Sequence, residues 1–200
     1  MKKLKRNFYS SDVLYVAENL LGKIFVFDNK KLDKKLTAKI VEVEAYDGRT
    51  DEAAHTFNGK TERNKVMFNE GGYLYVYFTY GIHFCANVVT GKKGEGTAVL
   101  LRAMEPLEGI DFFISKRFPD KDVNKIKVKN LLNGPAKICQ AFDIGRKQNG
   151  TDLTGKEIYL IDAPKVPKSN IIKTKRIGIK KSTELPWRFY IKDNIYISKK

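Results

Sequence analysis

The stretch GGYLYVYFTYGIHFCANVV, residues 71–89, alternates aromatic and β-branched side chains on both sides of Tyr80-Gly81. Such alternation is typical of strands, and a central glycine favours a tight turn. The stretch therefore predicts a β-hairpin that turns at Tyr80-Gly81. Similar strand patterns occupy residues 23–27, 36–46 and 97–104. Strands clustered in this way favour an antiparallel sheet over a doubly wound α/β fold.

Helical patterns are fewer and shorter than the strand patterns. Ser10 or Ser11 is predicted to cap a helix that ends at Gly22, and two further helices are predicted over residues 107–118 and 135–142. Short strands are predicted at residues 176–179, 188–191 and 195–198, and irregular loops at residues 47–69 and 119–130. We therefore expect an α+β fold. The expected fold is a single domain over residues 1–200, with a curved antiparallel β-sheet, flanking helices and a protruding β-hairpin.

The composition favours a polyanionic partner. The 200 residues have a formal net charge of +15, which suits nucleic acid and, less readily, an anionic membrane; a generally lysine-rich composition is the alternative explanation. No apolar run approaches the ~18 residues of a membrane span, and the basic N-terminus lacks a secretory apolar stretch. Cys85 and Cys139 lie outside any CxxC or His/Cys cluster. We expect a cytoplasmic protein with reduced thiols, no membrane association and no metal site.

Carboxylates alternate with apolar residues in the strand IVEVEAY, residues 40–46. Side chains two residues apart in a strand share a face, so Glu42, Glu44 and Tyr46 point the same way. In a half-buried strand the charged face usually points to solvent, and a solvated edge is therefore the simplest interpretation.

Arg102 indicates a different environment for those carboxylates. It lies in the apolar strand AVLLRAM, where it is expected to share a face with Leu100 and Met104. A buried guanidinium needs a carboxylate partner, because an unpaired buried charge is costly. Glu42 and Glu44 are both candidate partners. A buried pair that serves only the fold is the alternative interpretation.

Aromatic and histidine side chains supply the other candidate functional groups. Tyr80 is predicted at a hairpin turn, where a large ring has little core to fill and, on a basic protein, suits insertion into a base stack. His55 follows in the irregular loop and is able to donate a hydrogen bond to a ligand, although single histidines are more often structural. Alternate tyrosines of the first hairpin strand share a face: Tyr73, Tyr75 and Tyr77.

Together these groups suit the cleavage of an N-glycosidic bond in a flipped nucleotide. A base must leave the stack before an enzyme can reach its glycosidic bond, and Tyr80 would fill the space it leaves. Tyr46 and Tyr77 would sandwich the base, with cation–π attraction for a cationic purine. Glu44 would deprotonate water, held between its carboxylate and Arg102, for attack at the sugar carbon. One carboxylate suffices when the leaving base is already positively charged.

In its order of motifs the chain resembles the alkyladenine (3-methyladenine) DNA glycosylases of the mammalian type. The resemblance covers roughly residues 10–198, and it is specific because the motifs occur jointly and in order. They are IVEVEAYDG at residues 40–48, DEAAH at 51–55, YVY at 75–77, LLRAMEPLEG at 100–109, NGP at 133–135 and RIG at 176–178.

The resemblance implies a role for each matching residue. Glu44 corresponds to the general base and Arg102 to the residue that helps to position the water, while Tyr46, His55 and Tyr77 form the base pocket. Asn87 corresponds to a side chain that disfavours normal guanine through its 2-amino group, and Tyr80 to the wedge that intercalates in the minor groove.

The resemblance also implies an enzyme without metal or organic cofactor. It would act as a monomer on double-stranded DNA with a damaged purine and leave an abasic site without cutting the strand. Two residues depart from the family pattern: Val43 stands where threonine is frequent, and His83 where an aromatic residue is frequent.

Two other functions remain as alternatives at this stage. A non-catalytic nucleic-acid-binding module would retain the hairpin and the charge, but it has no need of a Glu44–Arg102 pair. A metal-dependent nuclease would need a cluster of carboxylate or histidine ligands, which the sequence does not suggest.

Overall fold

The structure is a computed structural model that describes residues 2–30, 33–79 and 81–199. Within those residues, eight strands form one antiparallel sheet, accompanied by four α-helices. The elements are α1 (Arg6–Tyr9), α2 (Val13–Leu20), β1 (Ile24–Asn29), β2 (Lys34–Asp47), β3 (Leu74–Thr79), β4 (His83–Thr90), β5 (Thr97–Glu108), α3 (Ile110–Arg117), α4 (Pro135–Phe142), β6 (Ile158–Ile161), β7 (Ile171–Thr174) and β8 (Arg188–Ile191). The predicted α+β class is confirmed.

The long strand β2 lies in the interior of the sheet. The strand order is β3-β4-β5-β2-β1-β6, and β8, which also pairs with β7, joins β2 beyond the end of β1. β2 thus pairs with β5 on one side and with β1 and then β8 on the other. Glu42 and Glu44 are fully buried, so the interpretation of this strand as a solvated edge is wrong.

In the middle of the sheet, irregular pairing between β2 and β5 changes the direction in which the side chains point. Ile40 faces Met104, Glu42 faces Ala103 and Val43 faces Leu101, with register shifts on both sides of Glu42. Such bulges turn successive side chains away from strict alternation. Met104 therefore belongs to the main core and does not share a face with Arg102, contrary to the sequence prediction.

The main hydrophobic core lies between the sheet and the helices. Buried residues of α2, α3 and α4 join the inward face of the strands in one continuous cluster. Phe142 of α4 packs at a ring-centroid distance of 5.2 Å from Phe25 of β1 and 4.7 Å from Phe113 of α3. Two smaller clusters lie apart from this core, one around Met67 and Tyr75 and one around Val41 and Ile197.

The helix boundaries differ from the sequence prediction at two places. Asp12, not Ser10 or Ser11, caps α2, because its carboxylate accepts hydrogen bonds from the backbone N–H groups of residues 14 and 15. α3 begins at Ile110 because β5 continues to Glu108 and Gly109 makes the turn at a φ of 88°, a conformation that favours glycine. α4 has the predicted bounds.

Two predicted strands, at residues 176–179 and 195–198, are irregular segments, while 188–191 is a strand. Their sequences suit strands, but key backbone groups bind side chains instead of a neighbouring strand. Ile177 N–H donates to Glu44, and Ser198 N–H donates to Glu42. The predicted hairpin is present as β3 and β4, although Tyr80 at its turn is outside the described residues. Strands β6 and β7 were not predicted from the sequence.

The helices are short throughout. Among the described residues, no helix combines the length with the apolar character that crossing a membrane requires.

Replacing Phe142 with alanine is expected to lower the free energy of unfolding by about 3–5 kcal/mol, because the cavity left between Phe25 and Phe113 cannot close fully. Chemical denaturation measures the change. Phe57→Ala is the matched control, since Phe57 is 39% exposed. A loss below about 1 kcal/mol for Phe142→Ala would contradict the packing described here.

Candidate active site

A cavity of about 370 Å³ opens beside β2, β3 and β5. It collects side chains that are far apart in the sequence. Its walls include five of the residues that the sequence predicted as functional: Tyr46, His55, Tyr77, Asn87 and Arg102. Other walls come from Leu100, Pro135 and the segment Ile177, Gly178 and Ile179. Glu44 does not line the cavity, but it bonds three residues that do: Tyr46, Arg102 and Ile177.

Glu44 is a fully buried carboxylate whose contacts all lead to the cavity. Its Oε1 accepts a hydrogen bond from Ile177 N at 2.7 Å, and its Oε2 accepts from Tyr46 Oη at 2.8 Å and Arg102 Nη1 at 3.2 Å. Each carboxylate oxygen accepts about two hydrogen bonds, so one direction at Oε1 remains for a further donor.

Glu44 and Arg102 are in direct contact. The 3.2 Å between Arg102 Nη1 and Glu44 Oε2 leaves no room for a water on the line between these two atoms, so a water held by both side chains has to use their other polar atoms. The Ile177 carbonyl oxygen lies 3.5 Å from Arg102 Nη1 and is a further acceptor beside this pair.

Tyr46 is held as a neutral hydrogen-bond donor. Burial raises its pKa well above the ordinary value, and the adjacent negative charge of Glu44 raises it further. The guanidinium of Arg176 lies 4.6 Å from the centroid of the Tyr46 ring. The phenol therefore stays protonated and fixes the Glu44 carboxylate.

Arg102 contacts both of the carboxylates that the sequence offered as partners. Its Nη1 bonds Glu44, and its Nε lies 3.3 Å from Glu42 Oε1 without the angle of a hydrogen bond. Because the side chain also lines the cavity, it connects a buried pair of carboxylates with the space that a ligand would occupy.

An aromatic wall forms one side of the cavity. The rings of Tyr75 and Tyr77 stack with centroids 5.6 Å apart and an interplanar angle of 23°. His55 meets Tyr77 edge-on at 4.5 Å, and its Nδ1 lies 3.2 Å from Tyr75 Oη. Burial raises the pKa of Tyr77, which keeps that ring neutral. This wall presents stacked rings and one imidazole to a planar ligand.

His55 is exposed, yet its imidazole prefers the neutral form. Desolvation of the ring lowers its pKa from the ordinary 6.5, and the positive charge of Arg63 lowers it further. Arg63 itself lies over the Tyr77 ring at 5.9 Å. At neutral pH the imidazole has one donor and one acceptor nitrogen.

Asn87 and His83 lie on the same strand in different surroundings. Asn87 is buried at the cavity, and its Nδ2 donates to the Tyr75 carbonyl at 3.3 Å. His83 is exposed opposite Thr79, next to the hairpin turn, and lines a separate depression with Phe84 and Asp143. The structure thus does not bring His83 to the site.

The segment 176–179 completes the cavity and was not recognised as part of the site from residue chemistry. Arg176 is fully buried and binds both carboxylate oxygens of Asp51, and also the carbonyl oxygens of Ala45 and Ser182. This ion pair fixes Ile177 where its N–H reaches Glu44. No local pattern signals a pair separated by 125 residues; only the RIG and DEAAH motifs mark the two positions.

Cys85 is a wall residue of the cavity, whereas Cys139 is not. Cys85 and Cys139 are both buried and unpaired. Across residues 2–30, 33–79 and 81–199, no group of three or more His, Cys, Asp or Glu side chains is arranged to hold a metal ion.

Asp51→Asn is expected to lower the free energy of unfolding by about 3–5 kcal/mol, because it leaves the Arg176 guanidinium buried without a counter-charge. Denaturant titration measures this. Glu52→Gln is the matched control: its partner Lys181 is exposed, and such pairs contribute about 0–1 kcal/mol. Equal effects of the two substitutions would contradict the structural role of the buried pair.

Arg63→Gln is expected to raise the pKa of His55 from below 6.5 toward that ordinary value, since it removes the nearby positive charge. NMR titration of the imidazole protons measures the pKa, and His83→Gln identifies the signal because the chain has two histidines. Lys65→Gln serves as the control and should leave the titration unchanged. A downward shift in Arg63→Gln would refute the assigned cause.

Comparison with known proteins places this cavity in context. The model of the family described as methylpurine-DNA glycosylase (MPG) matches residues 7–195. A protein from Clostridium novyi (strain NT) is 49% identical, with 100% of both chains covered. One from Alkaliphilus oremlandii (strain OhILAs) is 47% identical over 99% of this chain and 100% of its own. Both carry the name "Putative 3-methyladenine DNA glycosylase". This chain belongs to the methylpurine-DNA glycosylase family.

Proposed function

We propose that this member of a DNA glycosylase family removes an alkylated or deaminated purine from duplex DNA by hydrolysing its N-glycosidic bond, leaving an abasic site. The observation that carries the proposal is the buried Glu44 carboxylate, bonded to Arg102 and Tyr46 directly behind an aromatic cavity. A structural ion pair has no need of an aromatic cavity in front of it.

Glu44 acts as the general base in this proposal. The unused direction at its Oε1 accepts a proton from water, and Arg102 and the Ile177 carbonyl orient that water at the edge of the cavity. The negative charge also stabilises the oxocarbenium-like sugar as the bond to the base breaks. Both effects are strengthened because Glu44 is shielded from bulk water.

The cavity walls bind the flipped base. Tyr46 and Tyr77 supply ring faces, and their neutral, electron-rich π-systems attract a cationic purine. His55 hydrogen-bonds the edge of the base, and Asn87 at the cavity disfavours the 2-amino group of normal guanine. The volume of about 370 Å³ lies within the range of small-ligand pockets.

DNA binding uses the basic surface and the hairpin. The net charge of +15 supports binding to the phosphate backbone. Ile82, beside the turn, is 72% exposed, and we propose that the turn enters the base stack. The wedge role of Tyr80 stays a prediction from the sequence. The reaction needs one subunit and no cofactor, and we propose that the chain acts as a monomer in the cytoplasm.

Glu44→Gln is expected to slow base release by at least about 100-fold, the lower range of what a general base contributes. The substitution preserves the shape of the side chain, so binding of lesion DNA is expected to persist. The measurement is single-turnover incubation with duplexes that each carry one lesion: 3-methyladenine, 7-methylguanine, hypoxanthine or ethenoadenine. Abasic sites are then detected by alkaline cleavage.

Glu105→Gln is the matched control, because Glu105 lies on β5 but pairs with Lys39, away from the cavity. It should retain the wild-type rate. Base release by Glu44→Gln at the wild-type rate would refute the catalytic assignment. Absence of abasic sites with every lesion would favour a binding module, and strand cutting abolished by a chelator would favour a metal-dependent nuclease.

A further inference from the structure

We propose that Glu42 is a positioning residue, which orients Arg102 from behind and so holds Arg102 against Glu44 and the attacking water. This inference rests on the proposed function and extends it to a residue that does not touch the cavity. Glu42 is fully buried and is not among the residues that line the cavity, so its influence on the reaction has to pass through Arg102.

Hydrogen bonds from Arg188 and Ser198 hold the Glu42 carboxylate in place behind Arg102. Its Oε1 accepts from Arg188 Nε at 2.7 Å and from Ser198 Oγ at 2.8 Å, while its Oε2 accepts from the Ser198 N–H. The same Oε1 lies 3.3 Å from Arg102 Nε. With both oxygens occupied, the carboxylate cannot rotate without losing several hydrogen bonds to charged or buried groups.

Two arginines and two glutamates therefore alternate in one buried group. Arg188 contacts Glu42, Glu42 contacts Arg102, and Arg102 contacts Glu44. The group is formally neutral, which is how four charges are tolerated in a sheet interior. Without Glu42, the guanidinium of Arg102 would have Glu44 as its one carboxylate contact in this group and would be free to shift toward it.

The backbone is also shaped around this contact. The register shifts of β2 against β5 lie on both sides of Glu42. Glu42 pairs with Ala103 and Val43 with Leu101, so Arg102, which lies between those two partners on β5, has no paired residue on β2. Bulges of this kind re-aim side chains and are frequent beside active sites. A carboxylate that served only to neutralise Arg188 would not require the irregularity to include Arg102.

The irregular segment around Ser198 contacts both Glu42 and Arg102. Ser198 Oγ donates to Glu42 and lies 3.5 Å from Arg102 Nη2, and Ile197 packs on Val41 and Ala103. Arg188 also donates to the carbonyl of Lys199. The geometry thus links residues near the end of this sequence to the orientation of Arg102, more than 90 positions earlier.

Glu42→Gln tests the proposal. We expect the single-turnover rate of base release at saturating enzyme to fall about 100-fold, because small misplacements of a catalytic group have effects of that size. The dissociation constant for the same lesion duplex should stay unchanged, because Glu42 does not face the cavity. Ser198→Ala removes one hydrogen bond to the carboxylate and should lower the rate about tenfold. The probe is the lesion duplex that the wild-type chain processes fastest.

A double-mutant cycle separates positioning from general damage. In an Arg102→Ala background, Glu42→Gln should cost no further rate, because both substitutions remove the same contribution. Glu105→Gln is the control for the Glu→Gln change, and thermal unfolding reports folding. If Glu42→Gln does not fold, Ser198→Ala in the same two backgrounds gives the answer.

Each remaining outcome has a distinct meaning. Losses that add fully to those of Arg102→Ala, or weakened duplex binding with an unchanged rate, overturn the positioning role. A wild-type rate for Glu42→Gln together with a large loss for Arg102→Ala overturns the inference alone. A wild-type rate for Arg102→Ala overturns the proposed role of Arg102 in the reaction, and the inference with it.

Discussion

The structure depends on pairing two carboxylates in the interior of a β-sheet. Glu42 and Glu44 are fully buried, and burial of an unpaired charge is prohibitive. The sheet meets this constraint with Arg102 and Arg188 from the flanking strands β5 and β8. The remaining oxygen directions are satisfied by backbone and hydroxyl donors from two irregular segments. The flanking strands and these segments together supply the partners of both carboxylates.

The need to pair these carboxylates explains why the sequence predicts the sheet better than it predicts the irregular segments 176–179 and 195–198. The hairpin and α4 follow from local alternation and from proline at a helix start, which are properties of neighbouring residues. Residues 176–179 and 195–198 have strand-like composition, but Ile177 and Ser198 direct their N–H groups to carboxylates. A local pattern cannot reveal a partner that lies 133 or 156 positions away.

The site itself was predictable where one residue conflicts with its surroundings. An arginine in the apolar run AVLLRAM and glutamates in IVEVEAY indicate a buried ionic group. The resemblance of these motifs to the family then indicates Glu44 as the candidate general base. The distribution of roles was not predictable in the same way. The contact of Arg102 with both Glu42 and Glu44 occurs at a bulge between β2 and β5, and the Asp51–Arg176 pair depends on how a loop returns to the sheet.

The two sides of the cavity differ in how they are held. The tyrosine wall and Arg102 belong to strands, so their positions are fixed by the ladder and by the main core behind it. The opposing segment 176–179 is held chiefly by the Arg176–Asp51 pair and by the bond from Ile177 to Glu44. Local opening of that segment would remove one donor from Glu44 and one wall of the cavity without disturbing the sheet. The bond from Ile177 to Glu44 therefore depends on the Arg176–Asp51 pair, whereas the contacts of Glu44 with Arg102 and Tyr46 depend on the sheet.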